Sequence, residues 1–501
     1  MKKKNICLVS PPKRSNAQII PLALIYLSAW LEKAGIDADI IDVKTSPYKR
    51  FDSLEEERVI KKIVRQVIVK NPSFVGISCF TSEYNSVMRL AKTIRENIKT
   101  KIILGGVHPT LRPEDFIYQD SPVDFVVIGE GEETLAEFIQ QYDDNIFPND
   151  IKGIAFLENS GVRITPARKS IDDLSRLPIP SYDKLDMEHY LKITREIIRY
   201  IYTSGVHILT SRGCPFLCTF CAAKNLWKTA DSKSRVRYKP IRQVVDEIRY
   251  LKDKYSVDSF YLADDTFATS EDRAIDFCNE LLVRHIKITW AMETRVNLIT
   301  EELLRAIKQA GCIQVEFGVE SGSQEVLDRM KKNIRVEDTV RAFELCRRYG
   351  IRSFANLMLN TPAETREDVR KTINLRKRIR ASHVGVNLTA PIIGTDIYDQ
   401  YVYPKITKEE YYLFEDPHLY TKILDPRFRL AKHNLNLDRL YYAVNFNNYL
   451  NSFFEFSLNP RYLKSLIFSK RKWQIFPCIF FNFYKQIKSY IRFASSKLLK
   501  K

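Results

Sequence analysis

Short apolar runs alternate with longer stretches of helical periodicity through residues 1–145. The apolar runs are ICLVS, ADIIDV, VGISCF, KIILGG and DFVVIG, and the helical stretches include ALIYLSAWLEKAG and segments that begin near Asn85 and Glu132. Such alternation predicts parallel strands joined by helices on both faces of one sheet. We therefore predict an α/β domain with a doubly wound parallel sheet of the flavodoxin or Rossmann type.

Several of these runs end in small or turn-forming residues, where an open α/β sheet binds its ligands. Glycine at such a turn lets the backbone approach a ligand closely or adopt a positive φ. A single turn of this kind also suits a tight strand-to-helix connection without a ligand, but three together favour a binding site. The candidate binding residues are Ser10, Pro11, Gly105, Gly106, Gly129, Glu130 and Gly131.

A second alternating region follows a proline-marked linker over residues 146–205, which holds a short β segment with a turn at Asn159-Ser160-Gly161. From Val206 to about residue 400 the pattern predicts six strand–helix units, which suit a partial (β/α)6 barrel of the TIM type. Beyond it we predict a helical C-terminal region over 401–458 and a basic, aromatic, amphipathic tail over 459–501.

The segment SRGCPFLCTFC at residues 211–221 places Cys214, Cys218 and Cys221 on one loop after the first barrel strand. Three thiolates hold zinc when a fourth ligand is supplied, but no second CxxC or histidine pair follows. In an iron–sulfur cubane, three cysteines leave one iron without a protein ligand, and such an open position is reactive. The spacing favours a catalytic cluster over a zinc site or coincidence.

The remaining cysteines are scattered singly among apolar neighbours, as small core residues are. An odd total of nine, the lack of an even disulfide spacing and the lack of a cleavable signal predict a reducing, cytoplasmic protein.

The formal net charge of +18 suggests an anionic partner. From residue 460 onward the tail carries eleven lysines and arginines and no acidic residue, and it mixes them with Trp473 and several phenylalanines. Its apolar runs are shorter than the roughly 20 residues of a membrane-spanning helix. This composition favours a peripheral contact with the inner face of the cell membrane. The alternatives are packing within the protein or its oligomer, and contact with nucleic acid, which we rank last.

The CxxxCxxC motif followed by a barrel pattern resembles the radical S-adenosylmethionine (SAM) enzymes over about residues 206–400. The segments PPKRSNAQIIPLALIYLSAWLEKAG, LGGVHPT, VVIGEGEET and LSRLPIPSYDKLD are similar to the B12-binding, cobalamin-dependent class of that family, which extends the resemblance to about residues 5–400. The resemblance implies a [4Fe–4S] cluster whose open iron binds SAM, and reductive cleavage of SAM to a 5′-deoxyadenosyl radical.

Family roles carry over to matching positions. Cys214, Cys218 and Cys221 would bind the cluster, with Phe220 beside the SAM adenine and Arg212 and Gly213 shaping the loop. The other SAM-binding candidates are Asp264 and Asp265 in YLADDTF, Arg295 in ETRVN, and Glu316 and Glu320 in EFGVESGS. A structural alternative is that these charges form buried ion pairs, for example Arg295 with Glu320.

Two departures from the family pattern affect the expected cofactor sites. Asn360 and Ala363 replace glycines that are usual in a turn after the fifth barrel strand. The first domain also lacks the Asp-x-His-x-x-Gly motif whose histidine binds cobalt. His108 lies on a later loop, among the candidate cobalamin-binding residues, and is interpreted as loop structure. We therefore expect cobalamin to bind without a histidine ligand, and the alternative is a domain that has lost the cofactor.

Methylthiotransferases also place an α/β domain before the barrel, but they bind a second cluster there through three cysteines. The first domain has only Cys7 and Cys79, so a second cluster is not expected. The resemblance implies methyl transfer to an unactivated carbon of a small molecule, either lipid-like or another secondary metabolite. Radical cyclisation or oxidative rearrangement is the first alternative, and a zinc-stabilised regulatory or nucleic-acid-binding protein is another. An electron donor such as a flavodoxin or ferredoxin is the implied partner.

Overall fold

The computed structural model of the protein describes residues 4–12, 19–43, 52–143, 150–159, 161–227, 235–403, 405–412, 428–437, 439–441, 469–474 and 484. Most of the C-terminal region after Tyr412, and almost all of the predicted tail at 459–501, lie outside these residues. In the described part of the chain, no helix is both long enough and apolar enough to cross a membrane.

The first sheet has seven strands in the order β2-β1-β3-β4-β5-β6-β7. Strands β1 to β5 are parallel, and β6 and β7 extend the edge as an antiparallel hairpin. The strands are β1 Asn5–Val9, β2 Asp37–Ile41, β3 Phe74–Ser78, β4 Lys101–Gly105, β5 Phe125–Val127, β6 Ile154–Glu158 and β7 Gly161–Ile164. The helices are α1 Leu22–Lys33, α2 Ser53–Lys70, α3 Tyr84–Asn97, α4 Val107–Leu111 and α5 Gly131–Gln141.

Helices cover both faces of this sheet, which confirms the predicted doubly wound class. Helices α2 and α3 pack against one face through a cluster that contains Ile63 and Leu90, whereas α1 and α5 pack against the other through Leu24 and Phe138. Helix α2 was not among the helices predicted from the sequence. Its signal was the helical spacing of apolar residues in SLEEERVIKKIVRQVIVK, preceded by Asp52, whose side chain caps the helix by accepting from the Glu55 amide at 3.0 Å.

The second sheet is a partial barrel of six parallel strands in the order β10-β13-β14-β15-β16-β17, as predicted. Its strands are β10 Gly205–Ile208, β13 Ser259–Leu262, β14 Thr289–Thr294, β15 Cys312–Glu320, β16 Arg352–Leu359 and β17 His383–Leu388. The helices around it are α7 Ala223–Leu226, α8 Ile241–Tyr255, α9 Glu271–Val283, α10 Glu301–Gln309, α11 Gln324–Arg329, α12 Val336–Arg348 and α13 Arg366–Ile379.

Alternate residues of the barrel strands have different surroundings. In β15, Val315, Phe317 and Val319 belong to the large apolar core beneath the helices. Gln314 and Glu316 stand at the intervening positions and therefore point into the barrel. A short helix, α6 Met187–Tyr190, and a hairpin of β8 Thr194–Ile198 and β9 Ile201–Thr203 precede the barrel. A two-stranded ribbon of β11 Ser211–Arg212 and β12 Arg237–Tyr238 frames the cysteine loop.

The chain returns to the first domain after the barrel, through α14 Asp396–Tyr401 and α15 Lys408–Tyr412. Tyr412 stacks on Tyr84 with ring centroids 3.8 Å apart, and its hydroxyl lies 2.9 Å from Nε2 of the buried His108. The same His108 nitrogen lies 3.0 Å from an Asp115 oxygen. His108 thus belongs to a buried contact between the first domain and α15.

Candidate cofactor site between the two sheets

The three cysteines of the sequence motif lie on one loop that follows β10 and β11. Cys218 is buried, and Cys214 and Cys221 are half-buried. The middle of the loop is fixed because the Thr219 amide donates to the Met330 carbonyl over 3.0 Å. The thiols are therefore held at the carboxyl ends of the barrel strands, on the face where such barrels carry their chemistry.

The environment of the thiols fits an iron–sulfur cluster. Burial raises the pKa of Cys214 and raises that of Cys221 to about 11, which favours the neutral thiols, and a metal that binds them would hold them as thiolates. Within the described residues, no group of three or more His, Cys, Asp or Glu side chains that could hold one metal ion is found. A [4Fe–4S] cluster does not require such a group, because it takes each cysteine at a separate iron.

The base of the loop is tightly constrained. Asp264 is buried, and its carboxylate accepts hydrogen bonds from the amides of Thr210 at 2.6 Å and Ser211 at 3.1 Å. Gly213 has a φ of +98°, and a Cβ at this position would lie 2.0 Å from the Arg235 carbonyl oxygen. Only glycine fits there. Asp264, predicted to approach SAM, therefore uses its oxygens to hold the strand end from which the cysteine loop departs.

Arg295, predicted to bind the SAM carboxylate, lies beside the loop. Its guanidinium stacks on Phe216 at 3.8 Å, and its Nη1 is 3.6 Å from the Cys218 sulfur. Its Nη2 donates to the Lys332 carbonyl. The alternative pairing of Arg295 with Glu320 is not formed, because Glu320 pairs with the Lys332 ammonium at 2.7 Å.

The Glu320–Lys332 pair is built on an unusual piece of strand. Glu320 has a φ of +63° and follows an irregularity in the register of β15. A Cβ at Gly318 would lie 2.5 Å from the Glu320 carboxylate and 2.6 Å from the Lys332 ammonium. Lys332 also lies 5.7 Å from the centroid of the Phe220 ring. The bulge and the glycine thus let a buried ion pair reach the loop residue predicted to lie beside adenine.

Glu316 lies inside the barrel, in a cluster of polar side chains. It is fully buried and sits 3.2 Å from Arg199 Nε, and Gln314 donates to it over 3.0 Å. Burial, together with the nearby Glu293 carboxyl, raises the pKa of Glu316 to about 7 in spite of Arg199. The sequence did not reveal Arg199, which comes from the β8–β9 hairpin.

We expect Glu316→Gln to change the pH dependence of stability. The Glu316 pKa is raised from 4.5 to about 7 in the folded protein, so its stabilising contribution is complete below the unfolded value and is lost as the pH rises through about 7. Glutamine does not titrate, so the variant has no pH-dependent contribution to stability at this position. The Tm of the variant relative to wild type should therefore increase between about pH 5 and about pH 8.

Thermal unfolding followed by circular dichroism measures this difference. The exposed Glu302→Gln on α10 is the matched control, because it removes a carboxyl that water already solvates. A Glu316→Gln difference that is the same at both pH values would contradict the assignment of a raised pKa.

A cavity of about 280 Å³, partly open to solvent, lies between the carboxyl edges of the two sheets. Its lining is mainly apolar. The first domain contributes side chains that include Leu24 and Leu27, and the barrel contributes Leu209, Trp227 and Asp265. Trp227 donates its ring N–H to Asp265 over 2.8 Å. Burial raises the Asp265 pKa, and the Asp265 carboxyl acts electrostatically on Cys214 and Cys221. Asp265 thus stands between the cavity and the thiols.

Most of the predicted turn residues of the first domain line this cavity: Gly105, Gly106, Gly129, Glu130 and Gly131. A Cβ at Gly129 would have no neighbour within 4 Å, and one at Gly105 none closer than 3.9 Å. The turns therefore leave room where a large, flat group such as a corrin requires it. Ser10, Pro11 and His108 are not among the lining residues, and the partners of His108 are Asp115 and Tyr412.

The turn after the fifth barrel strand retains the backbone that glycine would give it. Asn360 has a φ of +62° and Ala363 a φ of +57°, a region that asparagine tolerates and alanine adopts at a cost of roughly 1–2 kcal/mol. The Asn360 side chain accepts from the Leu430 amide at 2.9 Å and donates to the Phe428 carbonyl over 3.1 Å. Asn360 thus keeps the turn and also ties the C-terminal region to the barrel.

Comparison with known proteins agrees with this arrangement. Residues 208–376 match the Radical SAM superfamily, and residues 14–139 match the B12 binding domain. An uncharacterized methyltransferase from Pyrococcus horikoshii is 30% identical over 80% of this chain and 83% of the relative. The chain belongs to the B12-binding radical SAM enzymes. This confirms the family to which the cysteine motif and the preceding domain were assigned.

Two further proteins are similar to this radical SAM enzyme. The anaerobic magnesium-protoporphyrin IX monomethyl ester cyclase of Rubrivivax gelatinosus is 28% identical over 81% of this chain and 70% of the cyclase. The solved structure of the radical SAM methyltransferase TsrM from Kitasatospora setae, with cobalamin and a [4Fe–4S] cluster bound, matches with a TM-score of 0.65. It is 21% identical and covers 79% of this chain and 77% of TsrM, so the likeness concerns the fold.

Proposed function

We propose that this enzyme methylates an unactivated carbon of a small molecule, using a [4Fe–4S] cluster, SAM and cobalamin. The proposal rests on one observation, a cavity that the B12-binding domain and the barrel line together. The same cavity is lined by the glycine turns of the B12-binding domain and by Ser211, Arg212 and Asp265 around the base of the cysteine loop. Chemistry that needs both cofactors requires such a shared space.

The chain's own residues have distinct roles in this proposal. Cys214, Cys218 and Cys221 bind the cluster, and Arg295, 3.6 Å from the Cys218 sulfur, orients that ligand and compensates its charge. The Glu320–Lys332 pair and Phe220 form the wall at which SAM binds. When bound, the cluster would supply the electron that cleaves SAM reductively, and the corrinoid would carry to the substrate carbon a methyl group taken from a further SAM molecule.

The first domain has a different role. Its turns at Gly105, Gly106 and Gly129 accept the corrin, and the apolar lining excludes water from its faces. No histidine lines the cavity among the described residues, so the proposal has cobalamin bound without a histidine ligand. The electron donor is a flavodoxin or ferredoxin, and the substrate is lipid-like or another secondary metabolite. We also propose that the basic tail at 459–501 makes a peripheral contact with a membrane.

Anaerobic reconstitution with iron, sulfide and hydroxocobalamin tests this function. We expect a brown protein that retains a corrinoid after gel filtration and converts SAM to 5′-deoxyadenosine when dithionite is added. A colourless protein that binds zinc and cleaves no SAM would refute the proposal. The iron, sulfide and corrinoid contents per chain are the primary measurements, and they do not depend on knowing the substrate.

Radical cyclisation is the second candidate, because the cyclase of Rubrivivax gelatinosus matches most of the chain. The label of [methyl-²H3]SAM separates the two reactions. Methylation transfers the labelled methyl group into the product, whereas cyclisation leaves the product unlabelled.

A further inference from the structure

Four charged side chains form a buried ion cluster between the B12-binding domain and the base of the cysteine loop. Arg212 donates to Glu130 over 2.8 Å through Nη1 and to Glu132 over 2.5 Å through Nη2. Arg237 Nη1 donates to the second Glu130 oxygen over 2.8 Å. Each of these side chains is at most 11% exposed. Two guanidinium groups thus neutralise two carboxylates in a site with little water.

The two arginines are presented together by local structure. Arg212 and Arg237 are directly paired across the antiparallel β11–β12 ribbon, so both side chains reach the same pair of acids. Glu130 and Glu132 stand on either side of Gly131, where α5 begins. Burial favours the protonated form of Glu130, but Arg212 and Arg237 outweigh it and lower the pKa of that carboxyl. The ion cluster is therefore charged at neutral pH.

The ion cluster touches both candidate cofactor sites. Glu130, Glu132 and Arg212 all line the cavity between the sheets. Arg212 is also two residues before Cys214, with only Gly213 between them. A ligand that fills the cavity therefore contacts the side chain of Arg212, whose backbone lies two residues before the first cluster-binding cysteine.

The backbone between Arg212 and Cys214 is tightly constrained. The hydrogen bonds from Thr210 and Ser211 to Asp264 fix the strand end before Arg212. Gly213 is pressed against the Arg235 carbonyl so closely that even a methyl group would not fit. A shift of the Arg212 backbone is therefore passed directly to Cys214, because the constrained segment between them has few degrees of freedom.

A purely cohesive contact between domains would not need this arrangement. Apolar side chains of similar volume join surfaces as well as buried ion pairs do or better, because they avoid desolvating charges. A guanidinium held by two carboxylates at once adds directional precision instead. The position of the ion cluster, between a cavity and a ligand loop, is where such precision has a use.

We propose that Arg212 is a positioning residue that couples the corrinoid cavity to the cluster loop, so that occupancy of one site alters the binding properties of the other. This inference rests on the proposed function, since it concerns the two cofactors named there. Coupling between two binding sites is reciprocal. Cluster loading therefore changes the affinity for the corrinoid by the same factor by which the corrinoid changes the affinity for the cluster. If the corrinoid also shifts the reduction potential of the cluster, its affinity differs correspondingly between the oxidised and the reduced cluster.

The test measures the Kd of hydroxocobalamin in full-length protein with and without the reconstituted cluster. In wild type we expect the two Kd values to differ by at least about fivefold, and we expect the bound corrinoid to shift the midpoint potential of the cluster. In Arg212→Gln both effects should disappear when samples with equal iron and sulfide contents per chain are compared. Glu132→Gln keeps the shape of the side chain and removes one charge, so it should reduce the ratio of the two Kd values. This variant replaces Arg212→Gln in the test if Arg212→Gln does not fold.

The matched control is Arg168→Gln, which breaks the ion pair of Arg168 with Glu137 in the first domain, away from the cavity lining. It should keep the wild-type ratio. A wild-type ratio near one, or a ratio that survives both Arg212→Gln and Glu132→Gln, overturns the inference alone. A protein that binds no corrinoid or no cluster overturns the proposed function and the inference with it.

Discussion

Replacing Cys218 by Ala should reduce the formation of 5′-deoxyadenosine from SAM to the background of protein without a cluster. Cys218 is buried, and its sulfur is the one that Arg295 approaches at 3.6 Å. Removing this sulfur leaves two thiols for a cluster that needs three, and it also removes the sulfur that the buried Arg295 guanidinium contacts. The iron and sulfide contents after reconstitution, and high-pressure liquid chromatography of the SAM products, measure the loss.

Cys278→Ala is the matched control for this variant. Cys278 is as fully buried as any core residue, but it belongs to α9 and packs in the apolar core beneath the barrel strands. The substitution should cost about 1 kcal/mol of stability and leave the cluster content and SAM cleavage at wild-type levels. Cleavage that survives in Cys218→Ala would show that the loop cysteines do not form the catalytic centre.

The fold features that were predicted from the sequence are local in the chain. The cysteine loop, the barrel strands and the glycine turns each depend on residues within about one strand and one helix of each other, so periodicity and spacing reveal them. Gly105 and Gly129 were candidates because each ends a strand, and the parallel sheet then brings both ends to one edge. The shared cavity follows from that topology.

The contacts that were missed join residues far apart in sequence. Arg212 and Glu130 are 82 positions apart, and nothing in either segment specifies the partner of the other. Glu130 was a candidate for ligand binding, yet both of its oxygens are used by arginines. Pairing of Arg295 with Glu320 was the structural alternative to SAM binding, yet the bulge in β15 turns Glu320 toward Lys332. A single irregular residue in a strand changes which side chains form an ion pair, and the hydrophobic periodicity of the sequence does not reveal that residue.

The replaced glycines illustrate a different limit. Asn360 and Ala363 were expected to restrict the turn after the fifth barrel strand, but both adopt the positive φ that glycine would have. Contacts from residues beyond the barrel, such as the Leu430 amide on the Asn360 side chain, hold the turn in this form. Tertiary structure therefore supplies here what local propensity opposes.

Replacing Gly105 by Leu should weaken corrinoid binding by at least about tenfold while leaving SAM cleavage intact. Gly105 lines the cavity, its φ is not among the positive ones, and an added Cβ would meet nothing closer than 3.9 Å. The backbone therefore accepts the side chain, and the leucine branch occupies space that the corrin needs.

Gly161→Leu, on the exposed hairpin outside the cavity lining and also without a positive φ, is the matched control and should bind hydroxocobalamin like wild type. Because the cysteine loop is untouched, the iron content and the yield of 5′-deoxyadenosine should not change in either variant. Equal Kd values for hydroxocobalamin in Gly105→Leu and wild type would mean that the corrinoid does not bind between the two sheets.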